Sequence, residues 1–130
     1  IPATRRIELA QTFLPGSTVQ AMFGIDASTL ATWRKTKRLL AVWHELTGDW
    51  LYPDFQFNGR KQIDEIPGIL AVFDRYYSHV WSNTWSIVEW FLSPHALLNG
   101  ASPLDTLTTD PQRVLRVAEL EFWQDPDTLW

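Results

Sequence analysis

Acid–base or metal chemistry in this 130-residue chain would have to come from three histidines, at positions 44, 79 and 95, and from fifteen Asp and Glu residues. No histidine stands at zinc-site spacing from a second ligand, and no Gly-x-Ser-x-Gly elbow, Walker loop or Gly-rich dinucleotide turn occurs. The carboxylate pairs Asp64-Glu65 and Glu119/Glu121 fall at helix starts or on polar helix faces, where solvation and the helix dipole account for them. Without cysteine there is no disulfide, thiolate metal site or thiol nucleophile. The chain therefore reads as a non-enzyme with neither cofactor nor metal, and its histidines as surface or interface groups. Eight tryptophans invite base stacking or sugar binding, but positions such as Trp33 and Trp85 share the apolar helix stripes and point to the core.

The residues best suited to recognition lie between Ser28 and Arg38, a stretch with four cations and no acid. At about 100° per residue on a helix, Leu30 and Trp33 share the face that packs inward. Ser28, Ala31, Thr32 and Lys35 point the other way, with Arg34 and Arg38 along a flank. Hydroxyls and a small methyl suit base edges, and long cations suit phosphates, so these six residues are the expected DNA contacts. A merely solvated face would mix Glu with Lys.

Elements to hold that helix are legible on either side. Ile7, Ala10, Phe13 and Leu14 make the stripe of a first helix over Thr4–Leu14, stopped by Pro15-Gly16. Ser17 or Thr18 caps a second helix bearing Val19, Met22 and Phe23, which Gly24 ends. Asp26 or Ser28 then caps the third, expected to run to about Lys37. Helix, glycine turn, helix is the helix-turn-helix outline. The β-rich run Leu39–Glu45, a turn at Thr47-Gly48-Asp49 and a strand Trp50–Tyr52 predict a small two-stranded wing. Phe55 and Phe57 anchor the crossing that follows, and Arg60-Lys61 sits at a loop tip.

Beyond residue 58 the pattern is helical. Ile63, Ile66, Ile69, Leu70, Phe73, Tyr76 and Tyr77 form one stripe, with Pro67 in the first turn. Ser82 caps a helix with Trp85, Val88, Phe91 and Leu92, and Ser93-Pro94, Ser102-Pro103 and Asp110-Pro111 each pair an N-cap side chain with a first-turn proline. Asn99-Gly100 ends the first of these three helices. In the last helix Val114, Leu115, Ala118 and Phe122 face the core. Arg113, Arg116, Leu120 and Trp123 take the opposite side, which, with Leu129-Trp130, is expected to meet a dimer mate or another protein.

Charge separates the same two regions. Residues 1–62 hold eight Lys/Arg against five Asp/Glu, and residues 63–130 hold three against ten, net +3 and −7. A basic front and acidic back suggest a polyanion for one and a different partner for the other. No apolar run approaches the roughly 20 residues of a spanning helix, and Ile1–Arg6 lacks a signal-peptide core, so a cytoplasmic protein with no membrane partner is expected.

The second half resembles a family. Trp90–Leu107, read after a Trp-rich helix, matches the "P-x-x-L-L-x-G-x-x-P-L-D-x-L" core of the toxin-binding domain of Xre/MbcA/ParS-type antitoxins through Pro94, Leu97, Leu98, Gly100, Pro103, Leu104, Asp105 and Leu107. Leu51–Phe57 looks like their connector, and the likeness spans most of residues 17 to 123. The N-terminal module departs from the family's longer helical bundle in being short and followed by a strand pair. The resemblance implies a type II antitoxin. Such proteins neutralise a RES-domain, NAD-degrading toxin by docking the C-terminal domain over its cleft, and they dimerise and repress their own operon. Carried over, Arg113, Arg116, Leu120, Trp123 and Trp130 would face the toxin, while Ser28, Thr32, Arg34, Lys35 and Arg38 would face operator DNA. The expectation is thus a mainly α protein. A helix-turn-helix with a two-stranded wing spans 1–58 and binds DNA, and a helical toxin-binding domain spans 59–130. The alternatives are a winged-helix regulator with no toxin partner, and a small-ligand binder or enzyme using the Trp-lined helices.

Overall fold

In the computed structural model, which describes residues 2–77 and 84–122, elements alternate in the first half and turn wholly helical in the second. Helix α1 (Ala3–Ala10) leads into a two-residue strand β1 (Leu14–Pro15), then α2 (Gly16–Phe23) and α3 (Ala27–Lys35). Strands β2 (Val42–His44) and β3 (Asp49–Tyr52) form a hairpin, and β4 (Phe57–Asn58) with β5 (Lys61–Gln62) a smaller one. Helices α4 (Ile66–Tyr77), α5 (Trp85–Leu92), α6 (Pro103–Leu107) and α7 (Pro111–Phe122) complete the chain. No helix among the described residues is long and apolar enough to cross a membrane.

The sheet has three antiparallel strands in the order β1-β3-β2. Leu14 pairs with Tyr52, and Trp43 lies opposite Trp50. This corrects the first helix, which stops before Leu14. Pro15 lacks an N–H and can sit only at an edge, and β1 is an edge strand. The β-rich run also shortens at its start. Leu39, Leu40 and Ala41 are buried but lie outside the sheet, and pairing begins at Val42.

Caps set several helix limits, but not the start of α2, which opens at Gly16 after Pro15 with no side-chain cap, so neither Ser17 nor Thr18 caps it. Gly24, at φ 63 and ψ 41, takes the left-handed turn that closes α2, and Asp26 opens α3 by accepting from the Thr29 N–H at 2.7 Å. Ser102 and Asp110 cap α6 and α7 in the same way, accepting from the Asp105 and Arg113 N–H groups. Ser93-Pro94 does not open a helix: the Ser93 hydroxyl donates back to Glu89 O, and a 3-10 turn starts at Ala96, capped by His95 Nδ1 accepting from Leu97 N–H. Ser82 lies outside the described residues.

Two apolar clusters support these elements. Val19, Leu30, Leu39, Ala41 and Tyr52 form one beneath α2, α3 and the sheet. The larger draws on α4, α5, α6 and α7 yet also takes in Phe13, Leu40 and Val42, so the core does not divide at residue 58. On α7 the buried residues are Val114, Val117, Ala118 and Phe122, while Leu115 is half-buried against Gly68 of α4. Phe55 packs on Phe13 and Phe91, and Phe57 on Phe23, so each anchors the crossing to a different cluster. Gln56, 0% exposed, locks the crossing: its amide accepts from Leu40 N–H and donates to Leu40 O and Pro53 O.

Candidate nucleic-acid interface

Helix α3 presents the expected face. Ser28, Thr32, Lys35 and Arg38 are exposed and Ala31 is half-buried, while Leu30 is buried and Trp33 packs on the smaller cluster. The Thr32 hydroxyl donates to Ser28 O at 3.1 Å, and Thr36 to Thr32 O at 2.8 Å. With its hydrogen committed, Thr32 Oγ1 offers lone pairs and a methyl, which suits the amino groups of adenine or cytosine and the thymine methyl.

Arg34 and Arg38 are braced by aromatic rings. The Arg34 guanidinium lies 4.6 Å from the Trp50 ring centre and donates to the Tyr52 hydroxyl at 3.1 Å. The Arg38 guanidinium lies 3.8 Å from the Trp33 ring centre. Stacking fixes a guanidinium without neutralising it, and no described carboxylate pairs with either group, so both remain charged and positioned. Lys37 adopts φ 64, and the Arg38 and Leu39 N–H groups both donate to Trp33 O, which ends the helix. At the other end, the hydrogen bond from the Thr29 backbone N–H, followed by that from its side chain, holds the Asp26 carboxyl below its ordinary value.

The β2–β3 hairpin tip carries Glu45, Leu46, Thr47 and Gly48 and no cation. The second hairpin contributes what sequence reading left without a role. Gln62 Nε2 donates to Arg38 O at 2.8 Å, and Lys61 shares a groove with Phe23, Trp33 and Arg38. The exposed Arg60-Lys61 pair thus adjoins the C-terminal end of α3, extending its positive charge. Their excess of charge was the signal; only the Gln62 tie shows which element they join.

The outward side of α7 is different. Arg113, Arg116 and Leu120 are exposed on one face, Leu120 by 56%. Arg113 Nη2 donates to Leu97 O at 3.2 Å. Trp123 and Trp130 lie outside the described residues, as does His79. His95 is more than a surface group: with Nδ1 accepting from Leu97 N–H, its Nε2 donates to Glu121 at 2.7 Å, and Trp90 Nε1 donates to the same oxygen at 2.8 Å. This arrangement ties the 3-10 turn and α5 to α7. No cluster of three or more metal-ligating residues occurs among the described residues. Nor are all the tryptophans core: Trp85 is buried, but Trp43 is 43% exposed beside Trp50.

No family model and no curated protein matches the chain. Among solved structures, the NMR structure of Rv2175c is similar, with a TM-score of 0.69 and 19% sequence identity over 85% of this chain and 81% of that one. At that identity the likeness concerns the fold alone. The chain is thus a mainly α protein with a small antiparallel sheet, sharing its fold with that structure.

Proposed function

We propose that residues 1–58 form a winged-helix module that binds duplex DNA through α3, and that the helical half holds a protein partner. The observation that carries this reading is the acid-free face of α3. It stands clear of the core, with two guanidinium groups preset on indole rings and Lys35 free to reach a phosphate. The chain order, in which α2, a glycine turn and α3 are followed by a hairpin sheeted with β1, supports the winged-helix assignment. The acidic hairpin tip leaves phosphate contact on the far side to Arg60 and Lys61.

For the second half, the exposed Arg113, Arg116 and Leu120 favour a protein partner, and the resemblance of Trp90–Leu107 supplies its class. The chain is then the antitoxin of a RES-type NAD-degrading toxin, cytoplasmic, homodimeric and repressing its own operon. Amide NMR shifts on adding duplex DNA test the first half. Changes centred on Ser28–Arg38 support it, and changes centred on α7, or none, reject it. Coexpression with the neighbouring gene tests the second: a copurifying partner that consumes NAD only once freed supports the antitoxin, and DNA binding with no partner leaves a regulator.

A further inference from the structure

Three of the exposed large apolar side chains, Ile7, Trp43 and Leu46, are 41, 43 and 72% exposed and gather around one cleft. It lies between α1 and the turn end of the β2–β3 hairpin, holds about 210 Å³, and is also lined by Arg6, His44, Glu45 and Trp85. Two of these residues carry solvent-shielded nitrogens without a hydrogen-bond partner: Arg6 Nε and His44 Nδ1 are the buried side-chain polar atoms left unpaired among the described residues. Buried polar groups are nearly always satisfied; Arg6 Nε can only donate and His44 Nδ1 donates in its Nδ1–H tautomer, so two orphans in one cleft suit an acceptor from outside. The Arg6 guanidinium sits 5.4 Å from the Trp85 ring centre, which positions it without consuming its N–H groups.

We infer that this cleft binds a small aromatic carboxylate of one or two rings. Indole walls and the aliphatic Ile7 and Leu46 suit a flat apolar body, and an engineered cavity of about 150 Å³ holds benzene, so the volume fits a ring with a carboxyl group. The carboxylate oxygens accept from the Arg6 guanidinium and from His44 in its Nδ1–H tautomer. Glu45 at the rim disfavours a dianion such as a phosphate ester and leaves a monoanion. The occupant also reaches α3: Trp43 packs edge-on against Trp50 at 5.3 Å, and Trp50 carries the Arg34 guanidinium. That coupling to DNA rests on the function proposed above; the binding itself does not.

Calorimetric titration of the full chain with 1-naphthoate, benzoate and the neutral benzamide tests the site. The carboxylates should bind one per chain and benzamide about tenfold or more weakly, the loss expected for a charge-assisted hydrogen bond. Arg6→Gln should bring benzoate down to the benzamide level and leave benzamide unchanged. On the unsubstituted chain, NMR shifts with naphthoate should centre on the Trp43 and Trp85 indoles and the Ile7 and Leu46 methyls. Equal binding of benzoate and benzamide, shifts centred elsewhere, or no binding overturns the proposal. So do cleft signals that move with protein concentration and not with naphthoate, the mark of a second copy in the cleft. Failure of DNA binding alongside intact naphthoate binding would count against the α3 reading and not against the cleft.

Discussion

The outward faces of α3 and α7 both display cations at helical spacing, yet they are built differently. On α3 the guanidinium groups of Arg34 and Arg38 rest on Trp50 and Trp33, and no acid interrupts residues 28–38. On α7, Arg113 leans on a backbone carbonyl, Glu119 and Glu121 share the helix, and Leu120 stands exposed between them. Aromatic bracing keeps charge in place without cancelling it, which serves a polyanion. A mixed apolar and charged face serves a protein surface.

The crossing between the two halves is held by Gln56, and breaking that hold should have the largest effect. Gln56→Ala strands the buried Leu40 N–H and C=O and should cost about 3 kcal/mol of unfolding free energy, read by urea denaturation. Loss of less than about 0.5 kcal/mol would show that the crossing is held by Phe55 and Phe57 alone. Arg34→Lys keeps the charge but removes the planar stack and the donation to Tyr52. It should weaken duplex binding about tenfold in anisotropy titrations, since lysine does not replace a stacked fork. Leu120→Asp, at a 56% exposed position, should release the proposed protein partner in coexpression pull-downs while changing stability by less than about 0.5 kcal/mol.

The smallest effect concerns pH. Because hydrogen bonds lower the folded-state pKa of Asp26, its contribution is present above the unfolded value of 3.8 and fades as pH falls through the lower folded one. Thermal melts of the unsubstituted chain and of Asp26→Ala should therefore differ at neutral pH and converge well below 3.8. A difference that persists in acid would mean that Asp26 acts through something other than its carboxylate.

Local signals in the sequence were enough for the helix caps at Ser102 and Asp110 and for the turn at Gly24, and narrowed the α3 cap to Asp26 or Ser28, because each rests on neighbours within three or four residues. Non-local choices were not visible. Two residues cannot announce a strand, and β1 exists because Leu14 meets Tyr52. Ser93 resembled a cap until its hydroxyl turned back to Glu89, leaving that role to His95. Helical angle placed Arg34 and Arg38 on a flank but could not name Trp50, which arrives from β3, as the ring beneath Arg34. The cleft beside Trp43 was hidden for the same reason, since α1 and the hairpin meet only in space. Of the α7 face, Arg113, Arg116 and Leu120 stand on the expected side.

The proposed DNA contact is α3 and not α7. The most direct measurement is the salt dependence of binding to a duplex selected from a random pool, comparing the unsubstituted chain with Lys35→Ala and Arg116→Glu. Log affinity should fall linearly with log salt, Lys35→Ala should bind more weakly with a slope shallower by about one, and Arg116→Glu should follow the unsubstituted chain. Equal losses in the two variants, or no duplex selected at all, would contradict it.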